Sequence, residues 1–195
     1  MSKTKSIDSS LLDKAIVFAA KAHQGVERRG KGFPYIAHPL EAMAIVATMS
    51  EDAELLAAAV MHDVIEDTIY TYEDIEKRFN KRIADIVQAE SDITVFDSDA
   101  LTNWLARKKV AIEKLKNAPI EVQIVALGDK LSNMRAMYRD YQVVGDELWN
   151  RFHVKDFEMH KWRYNELVKA FDKVTDFIAY KEFAYLVNAV FNKKE

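Results

Sequence analysis

The 195-residue sequence contains no cysteine, which excludes disulfide bonds, thiolate metal ligands and a cysteine nucleophile. Glycine and proline are also scarce, with five and three residues respectively. Turn signals are therefore sparse, whereas apolar residues recur at helical spacing along most of the chain. These features predict an all-α fold. Because no linker, repeat or low-complexity segment interrupts the pattern, we expect a single domain over residues 1–195.

Long apolar runs and an excess of positive charge are also lacking. The longest apolar run, Leu55 to Met61, is far shorter than the roughly 20 residues that a membrane helix needs. The polar segment Met1 to Ser10 does not resemble a signal peptide. A formal net charge of −3 gives no overall attraction to nucleic acid or to an anionic membrane. We therefore expect a cytoplasmic protein that binds neither nucleic acid nor membranes.

Several helix starts can be predicted from residues that cap or open helices. Thr71, with Asp74 three residues later, resembles a capping box. Ser10 and Asp52 are expected to cap helices, His38 to lie at or next to a cap before Pro39, and Pro119 to open a helix. The helix that follows Asp52 is predicted to continue to about Ile65.

The segment from Met61 to Thr68 combines one imidazole with three carboxylates. On a continuous helix, His62 would face Glu66 and Asp63 would face Asp67, because residues four apart share one side. Like-charged pairs at this spacing cost about 0.2–0.5 kcal/mol each, and a divalent cation would remove the repulsion. The alternative is a solvated acidic helix end.

Two further residues favour a metal site. Asp129 lies in the apolar stretch Val122 to Leu131, where an unpaired carboxylate would be costly. His38, His62, Asp63 and Asp129 would form a shell that suits Mn²⁺ or Fe²⁺, and less often Zn²⁺. The alternatives are a helix-capping role for His38 and a buried salt bridge from Asp129 to Lys130 or Arg135.

Residues 24–36 hold three of the five glycines together with Arg28, Arg29 and Lys31. This composition predicts a basic loop just before His38. Such a local cluster in an acidic chain suits a small anionic ligand rather than a nucleic-acid surface.

The order His38, His62-Asp63 and Asp129 resembles the HD superfamily of metal phosphohydrolases. Three blocks resemble more closely the hydrolase domain of the RelA/SpoT alarmone enzymes: Pro34–Leu40, His62–Thr68 and Leu127–Arg135. The segment Trp104 to Leu115 is similar to the small alarmone hydrolases, which include the metazoan SpoT homologue. The resemblance extends from about Leu12 to Trp162 and implies an HD-type helical bundle.

The resemblance also implies residue roles. It implies that the ligands of the metal, usually Mn²⁺, are His38, His62, Asp63 and Asp129. Glu66 and Asp67 would be the acid pair that activates water and assists the leaving group. The residues that would contact a phosphorylated nucleotide are Arg28, Arg29, Lys108, Asn133 and Arg151.

The function implied is Mn²⁺-dependent hydrolysis of the 3′-pyrophosphate of (p)ppGpp to GDP or GTP and pyrophosphate. The alternatives are an HD phosphatase acting on the NADPH 2′-phosphate or a nucleoside monophosphate, and a catalytically silent nucleotide sensor.

The sequence departs from the family pattern at Gly128, where Ala is usual, so the helix there is either looser or more closely packed. His153 and His160 are expected at the surface. Homo-oligomers are common, but the sequence indicates no number of subunits.

Overall fold

The structure, a computed structural model, describes residues 9–28, 30–91 and 100–192, with side chains from residue 104 onward in the last range. These residues form α-helices and one 3₁₀ helix, with no strand beyond an isolated bridge between Glu27 and Pro34. The all-α prediction is confirmed. The helices are α1 Ser10–Ala22, α2 Ala37–Val46, α3 Ala53–Val60, α4 Val64–Asp67, α5 Tyr72–Arg78, α6 Lys81–Glu90, α7 Ala100–Asn117, α8 Ile120–Val144, the 3₁₀ helix Gly145–Arg151, α9 Phe157–Ala170 and α10 Ile178–Phe191.

Helix α8 runs through the core and organises the bundle. It is buried on nearly all sides between Val122 and Met134, and the buried residues include the polar Gln123 and Asp129. It packs against α2, α3, α6 and α10. Buried residues from α1 through α10 belong to one apolar cluster, and the single-domain assignment stays a prediction. Among the described residues, no helix is both long enough and apolar enough to cross a membrane.

The side-chain caps predicted at Asp52 and Thr71 are present. The Asp52 carboxylate accepts a hydrogen bond from the Glu54 amide, and Thr71 and Asp74 form the reciprocal capping box. Two expected positions were wrong by one or two residues. Ser10 is the first residue of α1 rather than its cap, and His38 lies inside the first turn of α2, after Ile36.

The predicted continuous helix through residues 61–65 was wrong. Helix α3 ends at Val60, and a tight turn precedes α4 at Val64. The turn is held by hydrogen bonds from Met61 N to Ala58 O (3.1 Å) and from Val64 N to Met61 O (2.9 Å). Asp63 takes φ −93° and ψ 0°, the bridge region in which many active-site residues lie. His62 and Asp63 are therefore placed by a turn, while Glu66 and Asp67 lie on the following short helix.

Gly128 allows α8 to approach α2 closely. A Cβ atom at this position would lie 2.7 Å from Val46 Cγ2 and 2.8 Å from the Ala42 carbonyl oxygen. Of the two alternatives that the sequence left open, closer packing is correct. The contact brings together the helices that carry His38 and Asp129.

Candidate metal centre

Three buried side chains converge beneath a cavity. His38 comes from α2, His62 from the turn after α3, and Asp129 from the middle of α8. One ligand atom from each lies within 4.8 Å of the others. Asp129 Oδ1 is 3.0 Å from His38 Nε2 and 3.5 Å from His62 Nε2. Residues far apart in sequence thus present two imidazole nitrogens and a carboxylate oxygen to one point.

Asp63 lies beside the same point. Its Oδ2 atom is 2.9 Å from His62 Nε2 and 3.7 Å from His38 Nε2. The structure therefore brings together all four residues predicted to hold a metal. His38 makes no capping hydrogen bond, so the capping alternative for this residue was wrong.

The hydrogen bonds of His62 fit a metal ligand. Its Nδ1 lies 2.8 Å from the Ala59 carbonyl oxygen, and only a protonated Nδ1 can donate there. The buried Nε2 has no hydrogen bond of acceptable geometry among the described residues, although Asp63 Oδ2 is close. When the imidazole is neutral, the lone pair of His62 Nε2 faces the Asp63 Oδ2 oxygen, and a divalent cation between them could be bound by both atoms.

His38 is oriented by a chain of polar groups. Its Nδ1 lies 2.8 Å from Ser132 Oγ, and Ser132 Oγ donates to Glu41 Oε2 at 2.8 Å. Because the serine proton is directed to Glu41, the serine oxygen accepts from Nδ1 and leaves the Nε2 lone pair for a cation. Arg135 pairs with Glu41 at 3.4 Å and with Glu182 of α10 at 2.6 Å. Partners of this kind fix the ring orientation of metal-binding histidines.

The two oxygens of Asp129 have different partners. Oδ2 accepts a hydrogen bond from the Lys130 ammonium, which lies 3.7 Å from Glu90. Oδ1 faces the histidines and accepts from Asn133 Nδ2 at 2.5 Å. Asp129 therefore forms the predicted salt bridge to Lys130 with one oxygen while its other oxygen faces the histidines. It does not pair with Arg135.

Charge within the cluster shifts its ionisation. Burial alone would lower the pKa of His62, but the carboxylates of Asp63 and Asp129 outweigh it and raise that pKa well above its ordinary value. Burial would raise the pKa of Asp63, but His62 lowers it to about 2. For Asp129, burial is outweighed by Lys130 and the histidines, so its pKa lies well below the ordinary value. The cluster thus favours a positive charge at its centre.

The predicted acid pair lies at the rim of the cavity. Glu66 and Asp67 are exposed on α4. Partial burial, followed by the nearby Asp63 charge, raises the pKa of Asp67. The Tyr35 hydroxyl donates to Asp63 Oδ2 at 2.5 Å. Sequence reasoning assigned Tyr35 no role, although it stands in the block Pro34–Leu40.

The cavity above the cluster measures about 740 Å³, within the range of small-molecule sites. Arg28, Lys108 and Asn133, three of the residues predicted to contact the nucleotide, line it together with Glu66 and Asp67. The Arg28 guanidinium donates to the Asn133 amide oxygen, so Asn133 connects the basic loop to Asp129.

A second cavity of about 810 Å³ adjoins the first. Arg151 lines only this second cavity and pairs with Asp140 at 3.2 Å. The structure thus separates Arg151 from the metal cluster. Arg29 lies outside the described residues.

Sequence reasoning missed Arg163 of α9, which lines both cavities. No motif or spacing marks it, because its position depends on how α9 packs. The expectation that His160 lies at the surface was also wrong. His160 is 3% exposed, its Nε2 lies 2.7 Å from the Val154 carbonyl oxygen, and its ring stacks on Trp149.

The helical bundle and its two-His, two-Asp cluster define a metal-binding domain of the HD type. A family model described as HD domain matches residues 15–152, and the chain belongs to that family.

Curated relatives include larger RelA/SpoT-type proteins. GTP pyrophosphokinase rsh of Brucella ovis is 34% identical over 137 residues, which cover 67% of this chain and 17% of the relative. The bifunctional (p)ppGpp synthase/hydrolase SpoT of Escherichia coli K12 is 36% identical over 132 residues, covering 65% and 18%. The chain therefore spans less than a fifth of the length of these relatives.

Solved structures share the fold. A metazoan ortholog of SpoT, described as hydrolysing ppGpp, superposes with a TM-score of 0.76 at 20% identity, covering 94% of this chain and 97% of that one. A protein of Listeria monocytogenes EGD-e superposes with a TM-score of 0.69 at 25% identity, covering 83% and 98%. The resemblance to RelA/SpoT hydrolase domains stated from the sequence is confirmed.

Proposed function

We propose that the chain is a Mn²⁺-dependent phosphohydrolase that removes the 3′-pyrophosphate of (p)ppGpp, giving GDP or GTP and pyrophosphate. The observation that carries the proposal is the cluster of His38, His62, Asp63 and Asp129 beneath a cavity lined by both acids and cations. Supporting it, the chain is homologous to SpoT and shares the fold of a metazoan ortholog described as hydrolysing ppGpp.

The donor set favours a borderline-hard divalent cation. Two imidazoles with carboxylate oxygens suit Mn²⁺ or Fe²⁺, and less often Zn²⁺. When bound, such a cation polarises a phosphate oxygen and lowers the pKa of coordinated water. Lys130 and Asn133 hold the two oxygens of Asp129 in place, and Ser132 holds His38.

Glu66 and Asp67 would handle proton transfer. Both line the cavity that contains the metal residues. A hydrolysis of this kind requires one group to accept a proton from the attacking water and another to supply a proton to the leaving pyrophosphate. Positioned acids and bases contribute about 10²–10⁴-fold in rate to such steps.

Cations on the cavity wall would receive the phosphate groups. Arg28 comes from the loop before α2, and Arg107, Lys108 and Lys114 come from α7. Arg107 Nε is buried and has no hydrogen-bond partner among the described residues. An anionic ligand would satisfy this donor, which supports a phosphorylated substrate.

The test is product analysis by anion-exchange chromatography. Chelator-stripped protein is supplied with Mn²⁺ and, in parallel, with ppGpp, NADPH or a deoxynucleoside monophosphate. We expect GDP and pyrophosphate from ppGpp only when metal is present. Phosphate release from another substrate alone would move the function to a different HD phosphatase, and binding without turnover of any substrate would favour a sensor.

Variants separate metal binding from proton transfer. Asp63→Ala should lose stoichiometric Mn²⁺, whereas Glu66→Ala should retain Mn²⁺ and lose at least about 10²-fold in kcat. The exposed Glu73→Ala on α5 is the matched control and should behave as wild type. Wild-type turnover in Glu66→Ala would overturn the role of the acid pair.

A further inference from the structure

The two cavities meet at a small set of shared residues. The residues that line both are Arg28, Tyr35, Asp67, Asn133 and Arg163. Arg28 comes from the basic loop and Arg163 from α9. Arg163 also lies beyond the part of the chain that matches the HD family model, residues 15–152. The C-terminal helices thus contribute a cation to the junction from outside that matched range.

Within the described part of the chain, Arg163 has no acidic partner, whereas several neighbouring cations do. Lys31 and Arg151 both pair with Asp140, and Lys130 pairs with Asp129. Within residues 9–28, 30–91 and 104–192, no carboxylate lies within ion-pair distance of Arg163. The guanidinium carbon of Arg163 lies 5.6 Å from the centre of the Tyr164 ring.

The surroundings of Arg163 also include a second cation. The side chain is half-buried, and its positive charge is felt at Lys130, a second cation. Partial burial of a guanidinium beside another cation is unfavourable unless an anion is present. Because guanidinium groups bind phosphate through two parallel hydrogen bonds, a phosphate group is a suitable anion.

We propose that Arg163 binds a phosphate group of the ligand at the junction of the two cavities. The ligand would then carry two separate phosphate groups, one over the metal and one between Arg163 and Arg28. This inference rests on the proposed function for the identity of the ligand. It makes Arg163 a specificity-determining residue that selects substrates phosphorylated at both ends of the nucleoside.

The test compares two substrates in Arg163→Gln. The substrates are ppGpp and guanosine 3′-diphosphate, which lacks the 5′-phosphates. Loss of one charge-assisted hydrogen bond corresponds to about 10–100-fold in affinity. We expect KM for ppGpp to rise by that factor with kcat nearly unchanged, and KM for the 5′-dephosphorylated substrate to change less than about 3-fold.

Two further variants control for packing and for general charge. Lys169→Gln removes an exposed cation from the same helix and should leave both KM values at the wild-type level. Arg163→Lys keeps the positive charge and should recover part of the lost affinity for ppGpp. If circular dichroism shows that Arg163→Gln is misfolded, the KM values of Arg163→Lys for the two substrates are compared instead. A role restricted to packing predicts that both KM values change equally.

The outcomes separate this inference from the proposed function. Turnover of ppGpp with the same KM in wild type and Arg163→Gln would overturn the role of Arg163 alone. If wild type does not hydrolyse ppGpp, the proposed function fails. Calorimetric titration with inorganic pyrophosphate then tests the role of Arg163 by itself. Binding at least about 10-fold weaker in Arg163→Gln than in wild type would support the inference, and equal binding would overturn it.

Discussion

The close contact at Gly128 can be tested with a single methyl group. In Gly128→Ala, the new Cβ would overlap Val46 Cγ2 at 2.7 Å and the Ala42 carbonyl oxygen at 2.8 Å. A side chain such as Val46 can rotate, but the carbonyl is part of the α2 backbone. Helix α2 must therefore move away from α8.

Two opposing terms set the size of the effect. Overpacking a core costs about 1–3 kcal/mol, whereas alanine is favoured over glycine in a helix interior by about 1 kcal/mol. We expect a net loss of about 1–2 kcal/mol, because the obstacle includes backbone. Since α2 carries His38 and α8 carries Asp129, the variant should also bind Mn²⁺ about tenfold more weakly or worse.

Urea unfolding of metal-free protein and calorimetric titration with Mn²⁺ measure the two effects. Val46→Ala, alone and combined with Gly128→Ala, completes a double-mutant cycle. If the valine contributes to the clash, the double variant should lose less stability than the sum of the single variants. Gly128→Ala with unchanged or increased stability and wild-type Mn²⁺ affinity would refute the reasoning.

Three other predictions concern the polar groups around the metal cluster. Ser132→Ala should weaken Mn²⁺ binding about 10–100-fold in calorimetry and leave the stability of the metal-free protein nearly unchanged. Ser132→Thr should restore part of the affinity. Equal Mn²⁺ affinities of wild type and Ser132→Ala would rule out a role of Ser132 in orienting His38. Lys130→Met should lose about 3–5 kcal/mol in urea unfolding, because Asp129 and Glu90 would stay buried without their cation; a change below about 1 kcal/mol would contradict this. The pKa of His62 is raised in the metal-free protein, so Mn²⁺ must displace a proton from His62, and Mn²⁺ affinity should fall as the pH drops below that raised pKa. Calorimetric titrations in buffers of different ionisation enthalpy should detect the released proton. An Mn²⁺ affinity that does not change with pH would contradict this role of His62.

The sequence was informative where residue type and surroundings conflict. Asp129 stands among apolar neighbours, and His62 and Asp63 stand beside further acids, so a cation could be inferred without a structure. Helix starts at Asp52 and Thr71 were also predictable, since their side-chain caps are local. These features depend on residues close together in the chain or on the cost of burying charge.

Other features depend on contacts that the sequence does not record. The turn at residues 61–63 contains no glycine or proline, and the contact of His62 with the Ala59 carbonyl accompanies it. The consequence of Gly128 depends on which atoms of α2 face it. Arg163 reaches the junction only because α9 packs beside the cavities. Local patterns cannot specify such tertiary arrangements.

The positions of the four residues proposed to bind the metal have a consequence for stability. His38, His62 with Asp63, and Asp129 come from three separate parts of the fold, so the complete site exists only in the folded chain. In a protein without cysteine, a bound cation would act as a reversible cross-link between the first, second and third quarters of the chain. A cation at 100 times its Kd would add about 2.7 kcal/mol to the free energy of unfolding. Metal supply would thereby set the lifetime of the protein as well as its chemistry.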